Sequence, residues 1–185
     1  MKDKGQAIYY NIYTSNHDNT ARFALGRTGV KPVFIFGVNP STANDLLPDM
    51  TMRKVEGFAS RHNFDGFVML NLYPFRSTRP DDLPTTSDKQ LFERNIEVIQ
   101  YHLQGVKKPV IWAAWGNPIT KRSYLNECLT EICEVIEPYM AEWRYCGVLT
   151  KIGNPRHPCR LAYSNAFEQF NLPLYLRGEG KYTFD

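Results

Sequence analysis

The run Pro32-Val33-Phe34-Ile35-Phe36-Gly37-Val38, followed at once by Asn39-Pro40-Ser41-Thr42, decides the fold class. Its apolarity is continuous rather than alternating, the pattern of a strand covered on both faces, as in a parallel sheet. Three further runs have the same character: residues 67–73, residues 109–116 and, more weakly, residues 144–149. Helical periodicity lies between them over 52–62, over 88–103 with Ser87 as candidate N-cap, and over 119–136. Residues 161–170 read as a last helix. Strands alternating with helices in this way predict a three-layer α/β/α sandwich around a central, mostly parallel four-stranded sheet. The chain reads as one domain over residues 1–185, with residues 1–30 an N-terminal hairpin extension. In that extension Ile8-Tyr9-Tyr10-Asn11-Ile12-Tyr13 and Arg22-Phe23-Ala24-Leu25 are the strands, and residues 15–19 are the turn.

Composition narrows the function classes. With 22 Lys+Arg against 19 Asp+Glu the formal charge is +3, which permits nucleic acid as a partner without requiring it. Hydrophobic residues make up 43% of the 185, enough for a buried core, so intrinsic disorder is excluded. No apolar run approaches the roughly 20 residues of a membrane helix, and no apolar stretch follows the charged residues at the start, so no secretory signal is read. Cys128, Cys133, Cys146 and Cys159 form no CxxC pair and read as reduced thiols of a cytoplasmic protein. Their spacing fits no iron–sulfur ligand run, so no metal is expected. The absence of Gly-rich nucleotide fingerprints leaves ATP and NAD without support, so no cofactor is expected. The expected state is a monomer.

Ligands of parallel sheets bind at the carboxyl ends of the strands. That rule singles out four loops. Gly37-Val38-Asn39-Pro40-Ser41-Thr42 places small residues and backbone N–H groups at a helix start, which suits an anion or a carbonyl, or equally a tight capped turn. Asn71 ends a buried strand, where an amide can both donate to and accept from a nucleobase edge, or simply satisfy the core. Trp115-Gly116-Asn117-Pro118 follows the third run. The fourth loop, from Lys151 to Leu161, holds His157 between prolines beside Arg156 and Arg160.

Taken in order, Gly37-Val38-Asn39-Pro40, Val68-Met69-Leu70-Asn71, Ile111-Trp112-Ala113-Ala114-Trp115-Gly116 and His157-Pro158-Cys159-Arg160-Leu161 resemble the motifs of the uracil-DNA glycosylase superfamily. More closely, Asn39 to Ala43, Asp49-Met50-Thr51, Asn71-Leu72 with residues 76–80, and Gly153-Asn154-Pro155-Arg156-His157-Pro158 resemble the signatures of a bacterial and phage family. The superfamily flips a nucleotide from the duplex and breaks its N-glycosidic bond, because the bond is out of reach inside the stack.

What the resemblance implies is specific. Asn39 holds the attacking water, and His157 donates a hydrogen bond to the base oxygen that becomes negative. In a departure from the better-known patterns of that superfamily, Asp45 or Asp49, a few residues on, would supply a carboxylate that Asn39 cannot. Asn71 reads the flipped base and Tyr73 stacks on it, with core packing as its rival. Leu161 enters the vacated stack. Arg156 and Arg160, with Lys151, hold phosphates, and Arg76 and Arg79 offer polar groups to an adduct or a flanking phosphate. One departure changes the expected substrate. A bulky aromatic follows the proline in the strict uracil enzymes, whereas Ser41 and Thr42 stand here. Small hydroxylated residues cannot exclude a 5-substituent, so the implied substrate is a 5-substituted pyrimidine in DNA, such as a hydroxymethylated or glucosylated phage base. Two alternatives stay open: a nucleoside- or nucleotide-processing enzyme of the same fold, and a catalytically silent module that binds modified bases.

Overall fold

The computed structural model describes residues 9–178. One mixed sheet organises them. Its strands are β1 (Ile12–Ser15), β2 (Arg22–Arg27), β3 (Pro32–Gly37), β4 (Gly66–Asn71), β5 (Val110–Ala113), β6 (Glu142–Cys146) and β7 (Phe167–Gln169), in the spatial order β1-β2-β4-β3-β5-β6-β7. The four continuous apolar runs form the parallel centre, since β3 pairs in parallel with both β4 and β5, and β5 with β6. The expectation of a four-stranded sheet is therefore corrected to seven strands. The three extra strands pair antiparallel, β2 and then β1 beyond β4 and β7 beyond β6, so β1 and β7 are the edges. Strand β2 pairs with β4, so the N-terminal hairpin is part of the sheet rather than an extension of it; Ile8, its expected first residue, lies outside the described residues.

Alternation along β3 distributes the core to both faces. Val33 and Ile35 pack with Met52, Val55 and Phe58 of α1 (Met50–Arg61), while Phe34 and Phe36 pack with Phe92 and Ile99 of α2 (Lys89–Leu103) and Leu129 and Ile132 of α3 (Tyr124–Ile136). Each fully buried side chain of this size contributes about 1.5–3 kcal/mol. Both faces being buried is the physical reason for the continuous apolarity of the sequence. The fold is thus mixed α/β, with helices packed on both faces of the seven-stranded sheet.

Three helix starts differ from the sequence reading; α3, expected from residue 119, begins at Tyr124 after a 3₁₀ turn over Asn117–Lys121. Asp88, not Ser87, caps α2, accepting from the Leu91 N–H at 3.0 Å, and Asp49 caps α1, accepting from Met52 at 2.9 Å. The expected helix over 161–170 is absent. Asn165 turns the chain by accepting from the Ala162 N–H at 2.9 Å, and Phe167 then enters β7 and packs edge-on to Trp112 at 5.0 Å. A short α4 (Leu172–Leu176) follows, capped by Asn171.

Candidate functional site

Strand β3 leads through α1 to β4 on one side, and β5 leads through α3 to β6 on the other, so the chain diverges between the ends of β3 and β5. A cleft of about 950 Å³ opens at this divergence, the place where parallel sheets take ligands. Asn39 and Ser41 line it from the loop after β3, Ser77 and Thr78 from the loop after β4, Gly116 and Asn117 from the loop after β5, and Arg156, His157, Cys159 and Arg160 from the loop of residues 151–161, the closing loop. The structure thus brings Asn39, Ser41, His157, Arg156 and Arg160 together.

Backbone carbonyls fix the orientation of Asn39. Its Nδ2 donates to the Pro40 carbonyl at 3.0 Å and to the Ser77 carbonyl at 2.9 Å. Both amide protons are thereby engaged, which leaves Oδ1 as the free acceptor. The loop itself is clamped from behind. Arg76 donates to the carbonyls of Ser41 at 2.6 Å and Ala43 at 3.2 Å, and buried Arg22 donates to Ala43 at 2.7 Å. Burial, reinforced by the neighbouring Arg76, lowers the Arg22 pKa to about 10.

His157 has a defined proton arrangement. It caps a short 3₁₀ turn over Pro158–Arg160, with Nδ1 accepting from the Cys159 N–H at 3.4 Å. An accepting Nδ1 places the ring proton on Nε2. Desolvation holds the His157 pKa below its ordinary 6.5; the nearby Asp49 charge opposes this and Arg160 adds to it. At neutral pH the ring is an uncharged donor.

The β5 loop is tied to the closing loop. Gly116 has φ +63°, a left-handed conformation that glycine adopts without strain, and its N–H donates to the Pro155 carbonyl at 2.8 Å. Trp115 Nε1 donates to the Tyr175 hydroxyl at 3.1 Å. That hydroxyl donates to Asn154 Oδ1 at 2.7 Å, and Asn154 Nδ2 donates to Asn117 Oδ1 at 3.2 Å.

Other expected site residues do not reach the cleft wall. Leu161 is 4% exposed and packs in the core with α1, so it is corrected from a stack-filling wedge to a core side chain. Tyr73 is likewise core: it is 1% exposed, and its hydroxyl accepts from the Asp88 N–H at 2.7 Å, anchoring the start of α2. Asn71 is fully buried beneath the cleft, its amide satisfied when Nδ2 donates to the Asn39 carbonyl at 3.3 Å and the Leu70 carbonyl at 3.2 Å. Arg76 serves the loop clamp. Arg79 is exposed and paired with Asp82 at 3.3 Å, and Lys151 and Thr42 are exposed and off the wall. Asp49 caps α1, and Asp45 gives its backbone carbonyl to the N–H groups of Tyr9 and Tyr10. The lining therefore carries two guanidinium groups and no carboxylate, a positive surface.

Sequence reasoning missed Asn117 as a site residue, yet a signal was there. Asn39-Pro40, Asn117-Pro118 and Asn154-Pro155 are the chain's three Asn-Pro dipeptides. Asn39 and Asn117, the asparagines of the first two, line the cleft, and Asn154 of the third orients Asn117. Cys159 also lines it, with Sγ 3.3 Å from Thr51 Oγ1. The other three cysteines lie away from the wall, and burial pushes their thiols up to about 12. Among the described residues no three His, Cys, Asp or Glu side chains gather to hold a metal ion, and no helix is long and apolar enough to cross a membrane.

The fold and cleft define an α/β protein with an open cleft at the switch point in the parallel centre of its sheet. Within that class the chain belongs to the family described as "Protein of unknown function (DUF1643)", whose model matches residues 22–159, from the start of β2 to Cys159 of the closing loop. No curated protein and no solved structure matches the chain.

Proposed function

We propose that the protein is a DNA glycosylase of the uracil-DNA glycosylase type, a hydrolase that takes a flipped 5-substituted pyrimidine into the cleft and leaves an abasic site. One observation carries this reading: a neutral imidazole with Nε2–H available and an amide with Oδ1 available share one cleft wall. Cleavage of the bond from C1′ to the base nitrogen moves negative charge to the base and positive charge to the sugar. The Nε2–H of His157 meets the base oxygen that gains charge, an interaction worth about 3–4 kcal/mol in the transition state. Asn39 Oδ1 accepts from a water and aims its lone pair at C1′. The amide takes no proton, so that proton leaves after the carbon–nitrogen bond has broken and ends on the departing base. Expulsion of the stabilised base drives the reaction.

Substrate size and charge follow from the same wall. A cleft of about 950 Å³ lies at the upper end of the range for small-ligand sites, and a bare pyrimidine leaves most of it unfilled. Ser41 offers a hydroxyl where a bulky ring would exclude substituents. Hydroxymethylated and glucosylated bases of phage DNA fit this space, which extends the reading to antiviral defence. Arg156 and Arg160, with no opposing carboxylate on the wall, suit the flanking phosphates.

A base-binding module without catalysis is the second reading, favoured by that same lack of a carboxylate. Abasic-site formation separates the two. The test uses duplexes carrying uracil, 5-hydroxymethylcytosine, its glucoside or no modification, with His157→Ala and Asn39→Ala as controls. Abasic sites in a modified duplex, lost in both variants, are the expected result; binding without cleavage by the wild type selects the module.

A further inference from the structure

We infer that Asn117 is a specificity-determining residue whose carboxamide NH₂ binds an oxygen acceptor carried by the flipped base. This rests on the reading of the cleft as a base pocket. The inference starts at Trp115, whose indole N–H can only donate and so begins the chain of bonds. Its proton goes to the Tyr175 oxygen, and the Tyr175 proton goes on to Asn154 Oδ1. Asn154 is 4% exposed, and its Nδ2 donates in turn to Asn117 Oδ1 at 3.2 Å. Three bonds thus fix which end of Asn117 faces its neighbour. The oxygen is taken and the nitrogen is left, without an acceptor among the described residues, on a side chain that is exposed and lines the cleft.

An amide on an exposed loop ordinarily turns over freely and reads donors and acceptors alike. Here the network removes that freedom. Asn117 is the complement of Asn39: one amide is held with its oxygen available, the other with its nitrogen available, in the same cleft. A ligand group that donates finds no partner at Asn117; one that accepts finds two N–H groups already oriented. Two parts of a modified pyrimidine supply an oxygen that can only accept, the ring carbonyl and the glycosidic oxygen of a glucosylated 5-substituent. Asn154 and Tyr175 are positioning residues that act through Asn117. Tyr175 lies beyond the residues matched to the family, so chains that share the family region but lack this tyrosine should lack the fixed orientation.

Asn117→Asp tests the inference without disturbing the network, because an aspartate oxygen still accepts from Asn154 Nδ2 while the other oxygen repels a ligand oxygen. The readout is kcat/KM for excision, with Kd measured in parallel, on duplexes carrying uracil, 5-hydroxymethylcytosine or its glucoside. The expected result is a loss of about tenfold or more, the scale on which a site with one unmatched polar group rejects a ligand. Loss on every base assigns the contact to the ring carbonyl, and loss confined to the glucoside assigns it to the substituent. Tyr175→Phe, which frees the amide to turn, should show a smaller loss with the same ranking of substrates. If the wild type excises a base and Asn117→Asp leaves kcat/KM and Kd unchanged on all of them, the inference is overturned while the glycosylase reading stands. If the wild type neither binds nor excises any of them, the base-pocket reading fails and takes the inference with it.

Discussion

Cys159 donates its backbone N–H to Nδ1 of His157, and that bond decides which ring nitrogen carries the proton. The consequence reaches the chemistry. A histidine capping its own turn through Nδ1 can present only Nε2–H to the cleft, as an uncharged donor whose pKa is held down by burial. On the glycosylase reading proposed above, the electrophile is built into the loop.

Removing it should therefore slow chemistry more than binding. His157→Ala is expected to lower the single-turnover rate by about 10²–10³, the usual cost of losing one preorganised donor. The Kd for substrate DNA should move by less than threefold. A parallel loss of binding would place His157 among the DNA contacts instead.

Stability should fall on acidification. The folded-state pKa values of His157 and His102 both lie below the ordinary 6.5, each chiefly through desolvation. The unfolded chain thus binds protons more readily, and stability, complete above pH 6.5, declines as pH drops through 6.5 toward the folded values. Denaturant midpoints at pH 7.5 and pH 5 check this. His102→Gln should flatten part of the decline.

Leu161 and Ile152 should separate packing from surface effects. Leu161 is 4% exposed in the α1 layer, whereas Ile152 is 46% exposed on the loop that carries the cleft-lining Thr150. Leu161→Ala is expected to cost about 2–5 kcal/mol in chemical denaturation. Ile152→Ala should stay within about 0.5 kcal/mol.

The cations of the closing loop should appear in salt dependence. If Arg156 and Arg160 each neutralise a phosphate, replacing either by Ala reduces the slope of log K against log salt by about 0.9. Arg76→Ala should instead lower stability by about 1–3 kcal/mol, because the carbonyls of Ser41 and Ala43 lose their donor. Titrations at several salt concentrations distinguish the two kinds of arginine.

On the same reading, Ser41 sets the room for a substituent. Ser41→Tyr should abolish excision of the bulky base while sparing uracil, as measured on paired duplexes. Equal loss of both would remove Ser41 from substrate selection.

The parallel centre was legible because strands buried on both faces must be apolar at every position, as residues 33–36 are. The edge strands were harder to read. β7 has three residues, two of them exposed, and carries almost no periodic signal. The site was legible where a residue type has few structural uses at a strand end, as with Asn39 and His157. It failed where sequence cannot show depth. Tyr73, Asn71 and Leu161 stand beside cleft loops in the chain yet point below the wall, and Arg76 is held by backbone carbonyls that no motif records. Orientation was also hidden: the donor role of Asn117 depends on Tyr175, far away in sequence.

Mass analysis of the small-molecule fraction tests the central claim most directly. Wild-type protein is incubated with glucosylated 5-hydroxymethylcytosine duplex, and the released material is weighed beside the residual strand. Hydrolysis of the N-glycosidic bond predicts the free modified base, sugar adduct intact, with a matching abasic site in the strand. Release of a nucleoside, of a nucleotide or of the glucose alone, or of nothing from any duplex in the set, would contradict it.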